Sequence, residues 1–122
     1  MTFKLDEALK LVDEARIIQL ASEVIRIPSI SGNEKDVMEY AIQLLEEIGV
    51  HVEVHGSTER PIIYACLNPE AEKQVIFNGH LDVVPIAKPD AWSKDPWTPL
   101  VEGGKLYGRG ASDMKSSCAV MI

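Results

Sequence analysis

Phe77-Asn78-Gly79-His80-Leu81-Asp82-Val83-Val84-Pro85 and, further on, Gly104-Lys105-Leu106-Tyr107-Gly108-Arg109-Gly110-Ala111-Ser112-Asp113-Met114-Lys115 are the two stretches on which the reading of this chain turns. In each, a short apolar run gives way to a loop that carries ionisable side chains. His80 and Asp82 stand two apart, the spacing that puts both on one face of an extended chain, where the carboxylate can orient or polarise the imidazole. Asp113 follows the glycine-rich Gly108 to Ser112 and precedes an apolar run, Ser116 to Ile122, that reads as the start of a buried helix. Both segments follow strand-like runs, so they are expected to meet at one edge of a sheet. Each residue also has a plainer reading: a lone histidine in a loop is commonly a surface residue, and an aspartate before an apolar run is commonly a helix N-cap.

Upstream, Leu5, Leu9, Val12, Ile17, Leu20, Val24 and Ile27 recur at helical steps, with a slip near Ala15 and Arg16 that reads as a bend. Pro28 stops this helix. Ser31 followed by Glu34 reads as a capping box that opens a second helix, with Val37, Ala41, Leu44 and Ile48 as its buried stripe and Gly49 as its cap. From Val50 the period becomes two, with His51 and His55 on the wet face of a strand. Ile62 to Leu67 and Gln74 to Asn78 read as a strand pair, with His80 directly after the second of them. Pro85, Pro89, Pro96 and Pro99 make Val84 to Leu100 an irregular loop, Gly103-Gly104 a hairpin turn and Lys105 to Gly108 a short strand. The fold class is therefore α/β: two helices, then a mixed sheet with the chemical motifs at strand ends and in the loops that follow.

Composition narrows the class further. A chain of 122 residues, 46% hydrophobic and 25% charged, is ordinary for a globular domain and long enough to bury about two-thirds of the surface its unfolded form exposes. The net charge is −7, with 6 basic and 12 acidic residues in positions 1–60 and 6 and 7 in positions 61–122. Phosphate backbones are repelled by such a surface, so nucleic acid is not an expected partner. The acidic excess reads as the solvated faces of the helices, with an acidic docking surface as the alternative. Cys66 and Cys118 have no metal or disulfide spacing, the segment Met1 to Glu7 lacks a signal peptide's basic and apolar regions, and no run reaches the ~18 apolar residues of a membrane span. A cytoplasmic location, with no membrane partner, is expected.

In the order and spacing of its two motifs the chain resembles the M20-type zinc exopeptidases and deacylases, a family of acetylornithine deacetylase-, succinyl-diaminopimelate desuccinylase- and carboxypeptidase-like enzymes. Trp92, the Asp95-Pro96-Trp97-Thr98-Pro99 segment and Ile27-Pro28-Ser29-Ile30-Ser31-Gly32 fit the same pattern. The resemblance implies that His80 binds one zinc, that Asp113 bridges two, and that Asp82 is the catalytic partner that holds His80. It implies two zinc ions in the intact enzyme, cobalt and manganese being the alternative metals, and hydrolysis of the amide of an N-acyl amino acid or small peptide. It places the general-base glutamate, further metal ligands and a dimerisation and lid domain beyond Ile122. Residues 1–122 are then an incomplete catalytic domain, inactive alone and homodimeric when full length. A dipeptidase or carboxypeptidase of the same family, or a non-catalytic binding module, is the alternative. Gly108 and Gly110 read as backbone devices, Arg109 as the partner of a local carboxylate or carbonyl, and Lys115 as a solvated or capping side chain.

Overall fold

The structure, a computed structural model, describes residues 4–122. Its frame is a pair of helices, α2 (Glu14–Arg26) and α3 (Lys35–Glu47), preceded by the short α1 (Leu5–Leu9). The bend expected near Ala15 and Arg16 is instead a full break at residues 10–13, and Ala15 and Arg16 lie inside α2. Asp13, in extended conformation, accepts a hydrogen bond on its side chain from the Arg16 N–H and starts α2 afresh. Upstream of that break the apolar residues stay in solvent: Leu5, Leu9 and Val12 are each more than half exposed.

Leu20, Ala21 and Val24 of α2 and Val37, Ala41 and Leu44 of α3 close on each other as one core, joined by Leu81 and by Cys118 and Ala119 of α4 (Ser116–Met121). Val24 and Val37 are fully buried, and burial of this extent stabilises by about 1.5–3 kcal/mol per side chain. α3 ends in a Schellman motif: Val50 N–H reaches Leu45 O at 3.0 Å and Gly49 N–H reaches Glu46 O at 2.9 Å, with Gly49 left-handed as expected.

The strands differ from the sequence reading. β1 (Val52–Gly56) pairs antiparallel with β2 (Pro61–Ala65), in register Val54 to Ile63, and not with a third strand. Gln74 to Asn78 joins no ladder, and Val75, Ile76 and Phe77 are 80%, 84% and 73% exposed. β-propensity alone does not make a strand when no neighbour accepts its hydrogen bonds. β3 (Leu100–Glu102) and β4 (Lys105–Tyr107) form a separate antiparallel hairpin. Gly103 and Gly104 both have positive φ, 58° and 71°, the backbone of the two-residue turn that matches strand twist. The class is α/β as expected, with two antiparallel ribbons and one parallel bridge, Ile30 to Val83, in place of a single mixed sheet. The proline-rich segment is irregular apart from one 3₁₀ turn, Pro89–Ala91. Among the described residues, no helix is long and apolar enough to cross a membrane.

Candidate functional site

The site is hung from the loop that joins α2 to α3. After Pro28, residues 29–31 run alongside residues 81–83: Val83 N–H donates to Ser29 O at 2.9 Å and Ser31 N–H to Val83 O at 3.1 Å. Ser29, fully buried, donates its hydroxyl to Leu81 O at 2.6 Å. Leu81 and Val83 turn into the core, and the alternation of extended chain turns Asp82 outward between them.

His80 lies between two carboxylates. Its Nδ1 stands 3.1 Å from Asp82 Oδ1 and 3.1 Å from the Asp82 carbonyl, and its Nε2 stands 3.1 Å from Asp113 Oδ1. The structure thus brings together the three side chains singled out from the sequence, across 33 residues of chain. The edge they share is made by a loop pairing and not by the predicted third strand. His80, Asp82, Val83, Val84, Arg109 and Asp113 line an open recess of about 120 Å³. His55, by contrast, sits on the exposed β1 with Nε2 3.4 Å from Glu53 Oε2, a surface pair of little energetic weight.

Asp113 is not a helix cap. Its backbone is extended, φ −141° and ψ 100°, and the N-cap of α4 is Lys115. Gly110 swings the chain into this position with φ +83°, and a Cβ there would come within 2.7 Å of Val83 Cγ1. Only glycine meets both demands. The Asp113–Met114 peptide is cis.

One sequence expectation is corrected here, and of the two readings of Lys115, solvated or capping, the capping one holds. Ser31 does not cap α3: its hydroxyl donates to Asp82 Oδ2 at 2.5 Å, and the N-cap position, Glu34, makes no side-chain cap bond and instead accepts from Gly32 N–H at 2.7 Å. Lys115 is not solvated. It is fully buried, donating Nζ to Val24 O at 2.7 Å and Ile27 O at 2.6 Å, with the Trp97 ring centroid 5.5 Å away. A cation there satisfies carbonyls at the C-terminal end of α2 and complements its dipole. Burial pulls the Lys115 ammonium down to about 8, so it is still largely protonated at neutral pH.

Arg109 stacks on Trp92, Cζ 4.9 Å from the ring centroid, and its backbone N–H donates to Pro96 O at 2.7 Å. Asp95 closes its own loop, accepting from Trp97 N–H at 3.2 Å and from the Thr98 hydroxyl at 2.7 Å. Cys118 donates its thiol to His80 O at 3.3 Å, and burial pushes that thiol's pKa up. The sequence held no signal for Ser31 or Lys115 as site supports, because their partners lie 51 and 88 to 91 residues away.

As donors, His80 Nε2 and Asp113 Oδ1 suit a borderline metal ion. A tetrahedral zinc with bonds of about 2.0–2.2 Å sets neighbouring ligands ~3.3–3.5 Å apart, close to the 3.1 Å between these two atoms. They supply two ligands: among the described residues, no group of three or more His, Cys, Asp or Glu side chains converges as a metal cage.

Comparison with known proteins agrees with the motifs. The model of peptidase family M20/M25/M40 matches residues 76–122, which hold His80, Asp82 and Asp113. The chain is 35% identical over 106 residues to a succinyl-diaminopimelate desuccinylase of Legionella pneumophila (strain Corby), covering 87% of this chain and 28% of that protein. Similar proteins of the same name from Herminiimonas arsenicoxydans (35% identity, 88% and 28% covered) and Parvibaculum lavamentivorans (36%, 86% and 28%) match as well. The chain therefore spans just over a quarter of the length of these curated relatives. Residues 76–122 thus carry the likeness to peptidase family M20/M25/M40, and similarity to the desuccinylases reaches across most of the remaining chain.

Proposed function

We propose that the chain is part of the catalytic domain of a zinc-dependent amidohydrolase that cleaves the amide bond of an N-acyl amino acid. The observation that carries this reading is the His80 imidazole held on Nδ1 by Asp82 and facing Asp113 through Nε2. In it, His80 Nε2 would hold one metal ion and the Asp113 carboxylate would be shared by two. Asp82 accepts from Nδ1–H and fixes the tautomer with a bare Nε2. Zinc, when bound, supplies Lewis-acid polarisation of the amide carbonyl and lowers the pKa of water toward about 7. The base that moves the proton and the remaining ligands come from outside residues 1–122, so these residues alone have no turnover.

The names of the relatives support a succinyl group as the first acyl group to try. A dipeptidase or carboxypeptidase specificity is the second. The unpaired Cys66 and Cys118 suit a reducing, cytoplasmic setting, and homodimerisation belongs to the full-length enzyme.

The test is hydrolysis by the product of the complete reading frame across N-succinyl, N-acetyl and dipeptide substrates, with zinc and after chelation. Metal-dependent cleavage that falls at least ~10³-fold in His80→Ala and in Asp113→Ala is expected from loss of a metal ligand. Cleavage that survives both substitutions would refute the reading.

A further inference from the structure

We infer that Ser31 is a positioning residue for His80, acting through Asp82; the inference rests on the metal-ligand reading of His80 above. Asp82 has two carboxylate oxygens, and each is committed: Oδ1 to His80 Nδ1 at 3.1 Å and Oδ2 to the Ser31 hydroxyl at 2.5 Å. A carboxylate accepts at both oxygens and donates at neither. The hydroxyl, whose proton rotates freely to suit, therefore fills one side of Asp82 and leaves the other for the Nδ1–H tautomer of the ring, which the Asp82 carbonyl 3.1 Å from Nδ1 also favours and Asp113 Oδ1 3.1 Å from Nε2 opposes.

The need for such a tie follows from exposure. The Asp82 side chain is 36% exposed and that of His80 48%, so neither is locked by packing. An aspartate anchored on one oxygen alone can turn about its terminal torsion and trade the histidine for water. Ser31 is itself well placed to prevent this, because its backbone N–H is pinned to Val83 O at 3.1 Å. The result is a line of contacts, Ser31 to Asp82 to His80 to Asp113, that starts in the α2–α3 connection and ends at the open recess. The hydroxyl that the sequence offers for a helix cap is spent on the site.

Two measurements on the product of the complete reading frame test this. The first is the long-range ¹H–¹⁵N spectrum of the metal-free protein at one pH where the ring is neutral, with the His80 signal assigned by its loss in His80→Ala. The parent is expected to show the Nδ1–H tautomer, Ser31→Ala a tautomer mixture, and Ser31→Thr the parent pattern. Ser29→Ala, which loosens the same loop without touching Asp82, is expected to leave the tautomer unchanged. The second is steady-state kinetics with the best substrate found. Ser31→Ala is expected to lower kcat by roughly 10- to 100-fold with KM within about twofold, and Ser31→Thr to restore it.

If Ser31→Ala does not fold, Ser31→Cys, which keeps the shape and weakens the donor, reads the same position. An unchanged His80 spectrum in a folded Ser31→Ala or Ser31→Cys protein overturns the inference, as does loss in Ser29→Ala of the same tautomer signature. Absence of hydrolysis in the parent refutes the proposed function alone, since the tautomer readout needs neither metal nor substrate.

Discussion

The Tyr40 hydroxyl donates to Glu23 Oε2 at 2.5 Å, and Gln19 donates to the other oxygen at 2.8 Å. The first of these bonds joins α3 to α2, and the second, within α2, steadies the same carboxylate. The Tyr40 bond holds Glu23 below its ordinary 4.5, while burial and the same bond push Tyr40 up to about 12, so it stays a donor throughout the neutral range. A carboxylate whose folded pKa is depressed contributes stability that is present above its unfolded pKa and lost as pH falls through the folded value. Tyr40→Phe is therefore expected to cost about 1 kcal/mol at pH 7, with the difference from the parent shrinking as acid protonates Glu23. Urea titrations at pH 7 and in acid measure it, and a difference that does not change with pH would contradict it. At this scale the sequence was most legible where a residue's partner is local or belongs to a motif. Asp13, three residues from Arg16, follows a general capping rule, and His80 with Asp82 follows strand spacing. Glu23 and Tyr40 are 17 residues apart on different helices, and nothing in either helix's own periodicity names the pair.

Helices were readable as elements because their apolar period is internal to the sequence, and Val37, Ala41 and Leu44 did prove buried, whereas Ile48, the fourth residue of the expected stripe, is the C-cap of α3 and exposed. Strands were less so, because a strand is completed by its neighbour. Ile62 to Leu67 reads as the partner of Gln74 to Asn78, yet β2 pairs with β1 through a short turn, the more local closure. Element ends carry the same lesson. The end of α2 looked like a plain proline stop, but its carbonyls at Val24 and Ile27 are taken up by Lys115. Lys115→Met, which fills the space without the donors, leaves those carbonyls unpaired in the interior and is expected to destabilise by about 2–4 kcal/mol. Denaturant unfolding checks it, and a cost under ~0.5 kcal/mol would mean that solvent reaches the carbonyls.

For the whole molecule, the α/β class and the meeting of His80, Asp82 and Asp113 were legible from motif order, while the sheet that should join the motifs was not. Val75, Ile76 and Phe77, immediately before the site, and Leu67 are all more than 70% exposed. Contiguous apolar side chains in water bind amphiphilic dyes and other apolar surfaces. Residues 1–122 expressed alone are expected to enhance ANS fluorescence, and Ile76→Asp with Phe77→Asp to reduce it by more than half; a flat response from the unsubstituted chain would mean that these side chains are covered in solution.

The buried lysine has one more consequence. Lys115 is anchored under the last turn of α2, and Lys115 N–H also bonds to Gly110 O at 2.9 Å, so the loop that presents Asp113 is tethered to a helix end 88 residues earlier in the chain. A protease needs a stretch of backbone pulled free before it can cut. Cleavage between Gly110 and Lys115 thus becomes a gauge of fraying at Val24 to Ile27.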